Sequence, residues 1–268
     1  MEMLKKACDG LSKIREKSPL VHHITNYVSV NDCANITLAI GASPVMSDEI
    51  EDILDLIKIA NSLVLNIGTL NKRTVESMIY LGKEANKLNI PVVLDPVGAG
   101  ATKLRTGTSL KILQEVKVRV LRGNMSEIKS LLGLSGNTKG VDSTEKMDDA
   151  EDVAILAAKK FNCTVGISGE VDVISDGERV VKVFNGNSIL TRVTGTGCMV
   201  TSLTGCFLGA GCDGLTSSTA AYLIMGLAGE RAYKESGDNI GTFKVRLFDE
   251  IFNINEDRLK EGGKVEEC

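Results

Sequence analysis

The sequence predicts an α/β fold in which helices cover a mostly parallel sheet, and three observations support this. Short apolar runs alternate with stretches whose apolar residues recur at helical spacing, the order expected of parallel strands joined by crossover helices. Polar residues follow several of the apolar runs, where a strand would end. No repeat, low-complexity linker or shift in composition divides the 268 residues, so we expect one domain spanning 1–268.

The first part of the chain has helical patterns. Residues 2–16 are amphipathic and stop before Ser18 and Pro19, and NDCANITLAIG (31–41) ends at a glycine typical of helix C-termini. DEIEDILDLIKIANS (48–62) repeats apolar residues at helical spacing, with acidic residues in its first turn, where the helix dipole favours them.

Strand patterns follow, separated by helical ones. They are SLVLNIGT (62–69), IPVVLDPVGAGAT (90–102), VRVLRGN (118–124), CTVGISG (163–169) and a hairpin over 171–184 with Asp176 and Gly177 as its turn. From residue 197 to about 255 the pattern is mostly helical. We expect the charged tail, residues 257–268, to be frayed.

Composition excludes several classes of protein. The net charge of −4 provides no basic surface for nucleic acid or anionic lipid. The N-terminus lacks the pattern of a signal peptide, and no apolar stretch approaches the length of a membrane span. The seven cysteines form no C-x-x-C pair, so we expect reduced thiols and a cytoplasmic location.

Four polar residues mark the expected ligand-binding edge of the sheet: Asn66, Asp95, Arg122 and Asn124 all stand at the carboxyl ends of predicted strands. Ligands of open α/β sheets bind at that edge. Asp95 and Glu127 could hold a hydrated Mg²⁺ there. The alternatives are an Asp-Pro turn for Asp95 and, for Asn124 and Glu127, a helix N-cap with its capping-box partner.

The segment TGTGC (194–198) carries the second candidate feature. Gly195, Thr196 and Gly197 precede a helical pattern, so their backbone N–H groups could converge on an anion. The alternative is a tight turn into a buried helix. For Cys198 three roles remain open at this point: a nucleophile, a proton acceptor or a small core residue.

A small-molecule pocket is predicted near the N-terminus. Asn26, Val28 and Met46 mix apolar and amide side chains, as pocket walls do, although Met46 could equally fill the core. His22 and His23 are the only histidines, and adjacent side chains of an extended segment diverge, which argues against a shared metal.

In this order, several segments resemble the hydroxyethylthiazole kinase family of the ribokinase-like superfamily. The matching stretches include PLVHHITNYVSVNDCAN, LAIGASPVMSDEIED, DPVGAGAT, LRGNMSEI and VTGTGCMVTSLTGCFLGAG. The resemblance implies a three-layer sandwich without the superfamily's separate lid domain. It also implies transfer of the ATP γ-phosphate to the alcohol of 4-methyl-5-(2-hydroxyethyl)thiazole in thiamine synthesis or salvage, with Mg²⁺ and a homotrimer whose pockets lie between subunits.

The resemblance also assigns roles to residues. Met46 and Gly195 would contact the thiazole, with Asn26 and His23 in the pocket wall. Arg122 and Ser168 would contact ATP, with Asn124 beside them, and Asp95 and Glu127 would organise the metal. Cys198 stands where the superfamily has an aspartate general base. A helix N-terminus can lower the pKa of a thiol, so Cys198 could orient the alcohol and accept its proton, though less well than a carboxylate.

Four alternatives remain beside this function. A kinase of a related alcohol, pyridoxal or hydroxymethylpyrimidine, would share the ATP site. A thiol enzyme would use Cys198 as a covalent nucleophile and would need a base, for which His22 and His23 are the candidates. A non-catalytic binding protein and a nicotinamide-dependent enzyme complete the set, and the lack of G-x-G-x-x-G after a strand disfavours the latter.

Overall fold

A nine-stranded sheet forms the centre of the protein in a computed structural model that describes residues 2–134 and 149–268. The spatial order is β2-β1-β3-β4-β5-β6-β7-β8-β9. Strands β2 to β6 in that order are parallel, and β7, β8 and β9 are antiparallel, which confirms the mostly parallel sheet. In chain order the strands are β1 Leu20–Ile24, β2 Ser43–Met46, β3 Ser62–Asn66, β4 Val92–Asp95, β5 Val120–Asn124, β6 Thr164–Ser168, β7 Asp172–Ser175, β8 Val180–Val183 and β9 Val265–Glu267.

Helices cover both faces of the sheet, and a short 3-10 helix, Ser188–Arg192, precedes the long C-terminal helices. The α-helices are α1 Glu2–Lys17, α2 Val30–Ile40, α3 Ile50–Leu56, α4 Lys72–Lys87, α5 Lys103–Glu115, α6 Met125–Leu132, α7 Ala150–Phe161, α8 Thr196–Gly209, α9 Gly214–Ser236, α10 Ile240–Phe252 and α11 Glu256–Gly262. None of the helices in the described ranges is both long and apolar enough to cross a membrane. The cytoplasmic location stays a prediction.

Two separate apolar cores make the protein a three-layer sandwich. Successive strand side chains point to opposite faces, so Leu63 and Leu65 enter the core formed with α3 to α7. Val64, between them, enters the core formed with α1, α2, α8, α9 and α10. Because both faces are buried, the strands are apolar throughout instead of alternating, which made them recognisable in the sequence. Burying each such side chain contributes about 1.5–3 kcal/mol.

The hairpin prediction is confirmed, whereas three strands were missed: β1, β2 and, in the tail, β9. β7 and β8 pair antiparallel around Asp176 and Gly177, and Gly177 has the positive φ of 97° that the turn requires. The sequence analysis did not assign β1 and β2, whose segments LVHHI and SPVM are short and interrupted by histidine or proline. Their strand structure depends on pairing with β3 and with each other.

The prediction of a frayed tail over 257–268 is wrong. Residues 256–262 form α11, whose Leu259 is fully buried against the C-terminal helices. β9 then adds to the free edge of β8, with Val265 opposite Val183. The edge of β8 would otherwise have unpaired N–H and C=O groups. The charged tail becomes ordered because β9 supplies hydrogen-bond partners for these groups.

Candidate active site

Small residues along one side of α8 let this helix approach the sheet closely. Cys198, Thr201 and Gly205 follow one another at helical spacing, and α8 packs across β1, β3 and β4. A Cβ atom at Gly205 would lie 2.7 Å from a methyl group of Val64. The hydroxyl of Ser62 donates a hydrogen bond of 2.7 Å to the Gly205 carbonyl. These contacts set α8 against the strands whose carboxyl ends carry polar residues.

The register of the parallel strands brings the predicted polar residues together at one edge. Asn66 lies opposite Asp95 on neighbouring strands, and Asn124 lies opposite Ser168. Asn66 Nδ2 donates to Asp95 Oδ2 at 3.0 Å and to Cys198 Sγ at 3.2 Å. Asn26 Nδ2 donates to the same sulfur at 3.3 Å and to Asn66 Oδ1 at 2.9 Å. Cys198, Asn26, Asn66 and Asp95 therefore form one hydrogen-bonded group at the N-terminus of α8.

Asp95 has one satisfied and one unsatisfied carboxylate oxygen. Thr201 Oγ1 donates to Oδ2 at 2.7 Å, and the nearest guanidinium nitrogen of Arg122 lies 3.9 Å from the same oxygen. Oδ1 is buried without a hydrogen-bond partner among the described residues. Burial raises the pKa of Asp95 to about 6, and the Arg122 charge opposes this shift. At neutral pH Asp95 is thus mainly ionised, with one oxygen available to a ligand.

Glu127 and Asn124 form a complete capping box at the start of α6. Asn124 Oδ1 accepts the Glu127 N–H at 2.9 Å, and Glu127 Oε2 accepts the Asn124 N–H at 2.8 Å. Glu127 Oε1 accepts the N–H of Gly98 at 2.8 Å. The capping-box interpretation is therefore confirmed, and it engages the Glu127 carboxylate at both oxygens.

The N-terminus of α8 is built from the two glycines of TGTGC. Gly195 is the N-cap with φ of 86°, where a side chain would be strained and would approach Ser29 to 2.8 Å. A Cβ atom at Gly197 would lie 2.5 Å from Arg122 Nη1, so the guanidinium rests directly on this glycine. Arg122 Nη2 donates to Ser168 Oγ at 3.0 Å. The free N–H groups of the first helical turn and the Arg122 charge thus create a positive site.

Two cavities lie on either side of the hydrogen-bonded group formed by Cys198, Asn26, Asn66 and Asp95. The first, about 930 Å³, has Arg122, Ser168, Thr196 and Gly197 in its wall. The second, about 330 Å³, has Met46, His23 and Asn66 in its wall. Cys198 follows Gly197 of the first cavity and receives a hydrogen bond from Asn66 of the second, so the thiol lies between them.

The environment of Cys198 corrects the sequence-based expectation of a lowered thiol pKa. Burial, followed by the negative charge of Asp95, raises its pKa, and the amide donors Asn26 and Asn66 offset only part of that. The thiol is therefore protonated at neutral pH. Within the described residues neither histidine hydrogen-bonds to Cys198, which disfavours a covalent nucleophile with a histidine base.

The histidines have structural partners instead. His23 Nδ1 lies 3.0 Å from the Val21 carbonyl, and burial lowers the pKa of His23 to about 4, so the ring is neutral. His22 Nε2 lies 3.0 Å from the Ser47 carbonyl. Both histidines thus contact backbone carbonyls as buried residues of β1, and His23 also faces the second cavity.

Half of the predicted site residues lie outside the cavity walls. The described residues that line either cavity do not include Asn26, Asp95, Asn124, Glu127, Gly195 or Cys198. Asn124 is exposed, with its amide oxygen engaged in the helix cap. The described ranges contain no cluster of three or more histidine, cysteine or acidic side chains able to hold a metal by themselves. A cation at Asp95 and Glu127 would consequently need ligands from a bound phosphate chain or water.

Three residues of the site were missed in the sequence. Thr201 stands three residues after Cys198 on a helix, so its position on the same face was a usable signal. Tyr222 on α9 lies under Arg122, with its ring centre 5.9 Å from the guanidinium carbon, and nothing local in the sequence marks it. Asp172 faces the first cavity from the start of β7, and burial raises its pKa to about 7.

Comparisons with known proteins identify similar chains. The model of the hydroxyethylthiazole kinase family matches residues 11–257. Proteins named hydroxyethylthiazole kinase are 53% identical in Alkaliphilus oremlandii, covering 100% of both chains, and 50% identical in Clostridium tetani, covering 99% of both.

Two solved structures are also similar. A hydroxyethylthiazole kinase protein from Pyrococcus horikoshii OT3 is 45% identical with a TM-score of 0.91, covering 98% of this chain and 99% of that one. The pyridoxal kinase from Staphylococcus aureus in complex with pyridoxal is 16% identical with a TM-score of 0.60, covering 78% and 86%. At that identity the second likeness shows the fold alone.

Proposed function

This chain belongs to the hydroxyethylthiazole kinase family, and from that premise we propose how its residues phosphorylate the alcohol of hydroxyethylthiazole with ATP. Kinase activity with ATP on this small alcohol follows from the family. The observation that carries the proposed mechanism is the position of Cys198, Asn66 and Asp95 between two cavities at the N-terminus of α8. One cavity would hold the phosphate donor and the other the alcohol.

The first cavity is proposed to bind ATP. Its volume of about 930 Å³ is large enough for a nucleotide, and Arg122 and Ser168 stand in its wall. The N–H groups of Thr196, Gly197 and the following residue would bind the migrating phosphoryl oxygens, since they have no acceptors within their own helix. Asn124 would contact ATP through its amide nitrogen, because its amide oxygen is engaged in the helix cap.

The second cavity is proposed to bind the thiazole alcohol. Its volume of about 330 Å³ suits a small ring, and Met46 and the neutral ring of His23 provide apolar and weakly polar walls. Asn66 lies at its inner end, where the alcohol would meet Cys198. Asn26 would act indirectly, because it accepts a hydrogen bond from Ser29, and Gly195 would act by leaving room for Ser29 beside the N-terminus of α8.

The proposed role of Cys198 is to orient the alcohol. In-line transfer depends mainly on positioning and charge stabilisation, and the alcohol proton leaves late, so little basicity is required. The raised pKa of Cys198 keeps the thiol protonated at neutral pH, so little thiolate is present to accept a proton, but the sulfur can still accept a hydrogen bond from the alcohol O–H. The amide dipoles of α8 and the Arg122 charge would therefore contribute more to the rate than the thiol.

Asp95 and Glu127 are the proposed Mg²⁺ residues. The buried Oδ1 atom of Asp95 lacks a partner within the described part of the chain, as expected of an oxygen awaiting a cation. Glu127, whose two oxygens accept backbone N–H groups, would act through water. When bound, Mg²⁺ would neutralise charge on the transferred phosphates.

A homotrimer with sites between subunits is proposed for the assembly. Tyr27 faces the second cavity although it is 79% exposed, and the nearby Val28 is 57% exposed. A neighbouring subunit that covered this rim would remove apolar surface from water and close the pocket. Light scattering coupled to size exclusion would give the mass of a trimer, and a monomeric mass at assay concentration would contradict this proposal.

The substrate is tested by an ADP-release assay on three alcohols: hydroxyethylthiazole, hydroxymethylpyrimidine and pyridoxal. We expect kcat/KM to be highest for the thiazole, because the second cavity is small and its charged wall residues Asp48 and Arg73 are paired with each other. Equal or higher kcat/KM with either other alcohol would show that the cavity is assigned to the wrong substrate. The active-site assignment is tested separately by Asp95→Ala, which should abolish turnover with all three.

A further inference from the structure

Arg105 on α5 binds three backbone carbonyls and, in the part of the chain that the structure describes, forms no ion pair with a carboxylate. Nη1 donates to the Val97 carbonyl at 2.7 Å and to the Ile67 carbonyl at 3.3 Å, and Nη2 donates to the Gly68 carbonyl at 2.8 Å. Ile67 and Gly68 directly follow Asn66 on β3, and Val97 lies two residues after Asp95 on β4. One rigid, planar guanidinium thus connects the two loops that carry the central side chains of the active site.

The peptide unit between Ile67 and Gly68 transmits this contact to Asn66. In a trans peptide the C=O and N–H groups point in opposite directions. Arg105 holds the carbonyl, and the N–H of Gly68 donates to Asn66 Oδ1 at 2.9 Å. Asn26 donates to the same oxygen. With its oxygen held, the Asn66 amide turns its nitrogen toward Cys198 and Asp95.

The opposite orientation of the Asn66 amide would be unfavourable at this site. It would place the amide oxygen against the ionised carboxylate of Asp95, and two acceptors at hydrogen-bond distance repel each other. The Cys198 sulfur would also lose one of its two N–H donors. The orientation of a single amide therefore decides whether Cys198 and Asp95 are bridged.

Arg105 constrains the loop after β4 as well. Gly98 has φ of 76°, and a Cβ atom there would lie 3.0 Å from Arg105 Cδ, so this glycine makes room for the arginine side chain. The N–H of Gly98 donates to Glu127. Between Asp95 and Gly98 the chain is thus held at Val97 by Arg105 and at Gly98 by Glu127.

We propose that Arg105 is a positioning residue for phosphoryl transfer: it fixes the exits of β3 and β4 and sets the Asn66 amide that bridges Cys198 and Asp95. The inference rests on the proposed active site. Both terminal nitrogens of Arg105 are already engaged by backbone carbonyls, and Arg105 is not among the described residues that line either cavity, so we assign it no contact with ATP or the alcohol. Its effect is therefore expected on kcat and not on the binding of ATP.

Arg105→Ala tests this, with Arg15→Ala as a matched control. Arg15 also binds backbone carbonyls, those of Phe252 at 3.0 Å and Ile254 at 2.6 Å, at the end of α10 and in the connection to α11. We expect Arg105→Ala to lower kcat by about 30- to 100-fold, the effect of a small misplacement of reacting groups, with KM for ATP changed less than about threefold. Arg15→Ala should leave kcat within about twofold.

Chemical rescue separates positioning from general destabilisation. Guanidinium chloride at low millimolar concentration should raise kcat of Arg105→Ala and leave Arg15→Ala unchanged. Arg105→Lys keeps the charge but loses the planar fork, so we expect an intermediate kcat; it also provides the test if the alanine variant does not fold. Equal kcat losses in the Arg105 and Arg15 variants, an effect confined to KM for ATP, or no rescue would each overturn the proposal.

A double-mutant cycle with Asn66→Ala tests two statements separately: that Arg105 acts through Asn66, and that the active site is assigned correctly. If Arg105 acts through Asn66, its replacement should reduce kcat much less in the Asn66→Ala background than in the wild type. Fully additive losses would overturn the role of Arg105 while leaving the active site intact. Full activity of Asn66→Ala alone would instead contradict the active site that we propose.

Discussion

The hydroxyl of Thr201 should control the pH at which this enzyme becomes active. Thr201 Oγ1 donates a 2.7 Å hydrogen bond to the buried carboxylate of Asp95, whose pKa burial raises to about 6. A hydrogen bond to a charged group contributes about 1.5–3 kcal/mol, and roughly 1.4 kcal/mol corresponds to a tenfold change in equilibrium. Thr201→Val should therefore raise the pKa of Asp95 further, to about 7–8.

The assay is the pH profile of kcat/KM for ATP, since this ratio reports groups of the free enzyme. We expect the acid limb of the profile to move upward in Thr201→Val, so that activity at neutral pH falls while activity at higher pH recovers. Simple loss of packing would lower the whole profile without moving it.

Thr204→Val is the matched control. Thr204 is equally buried on α8, and its hydroxyl donates to the Val200 carbonyl one turn earlier at 2.9 Å, whereas Thr201 Oγ1 lies 3.2 Å from the corresponding Gly197 carbonyl. Only Thr201 also reaches Asp95. An unmoved acid limb in Thr201→Val, or an equal displacement in Thr204→Val, would refute this reasoning.

Three further predictions concern Asp95, Gly197 and Cys198. Because the pKa of Asp95 rises from 3.8 to about 6 on folding, its contribution to stability is present below the unfolded pKa and is lost as pH rises through the folded one. Urea titrations should show Asp95→Asn about 2–3 kcal/mol more stable than the wild type at neutral pH and equal to it near pH 4. A difference in unfolding free energy between the two proteins that stays the same at both pH values would contradict this. Gly197→Ala displaces the Arg122 guanidinium, and steady-state kinetics should show kcat/KM for ATP lowered by about 100-fold or more, whereas near-normal values would mean that the guanidinium can move freely. Cys198→Ala should lower kcat by less than about tenfold, because the thiol orients more than it deprotonates; a loss as large as that of Asp95→Ala would show that the thiol is the essential base.

Local sequence patterns were sufficient to predict the layers of the fold and the sheet edge at which we propose the active site. A strand buried on both faces must be apolar along its length, so β3, β4, β5 and β6 could be recognised without knowing their partners. A residue just after such a strand must lie at the sheet edge, which placed Asn66 and Asp95 correctly. The capping box of Asn124 and Glu127 is likewise a local pattern with a local cause.

Other features depended on partners far away in the chain. Histidine in β1 and proline in β2 interrupt their apolar runs, so neither strand was recognised alone, and β9 is ordered because β8 offers it a free edge. Tyr222 supports Arg122 from a helix one hundred residues later in the numbering, and no spacing in the sequence indicates that contact. Such elements are selected by tertiary packing, which overrides weak local preference.

The sequence by itself determined which residues stand at the active-site edge, because strand ends, helix starts and glycine turns are set by neighbours in the chain. Only the tertiary structure decided how those residues behave. Asn66 and Cys198 are 132 positions apart, yet their contact joins the thiol to Asp95. Burial and the Asp95 charge then raise the pKa of Cys198 where the helix terminus alone would lower it. Desolvation and Coulomb interaction depend on distance in space, and distance in space is what a linear pattern does not contain.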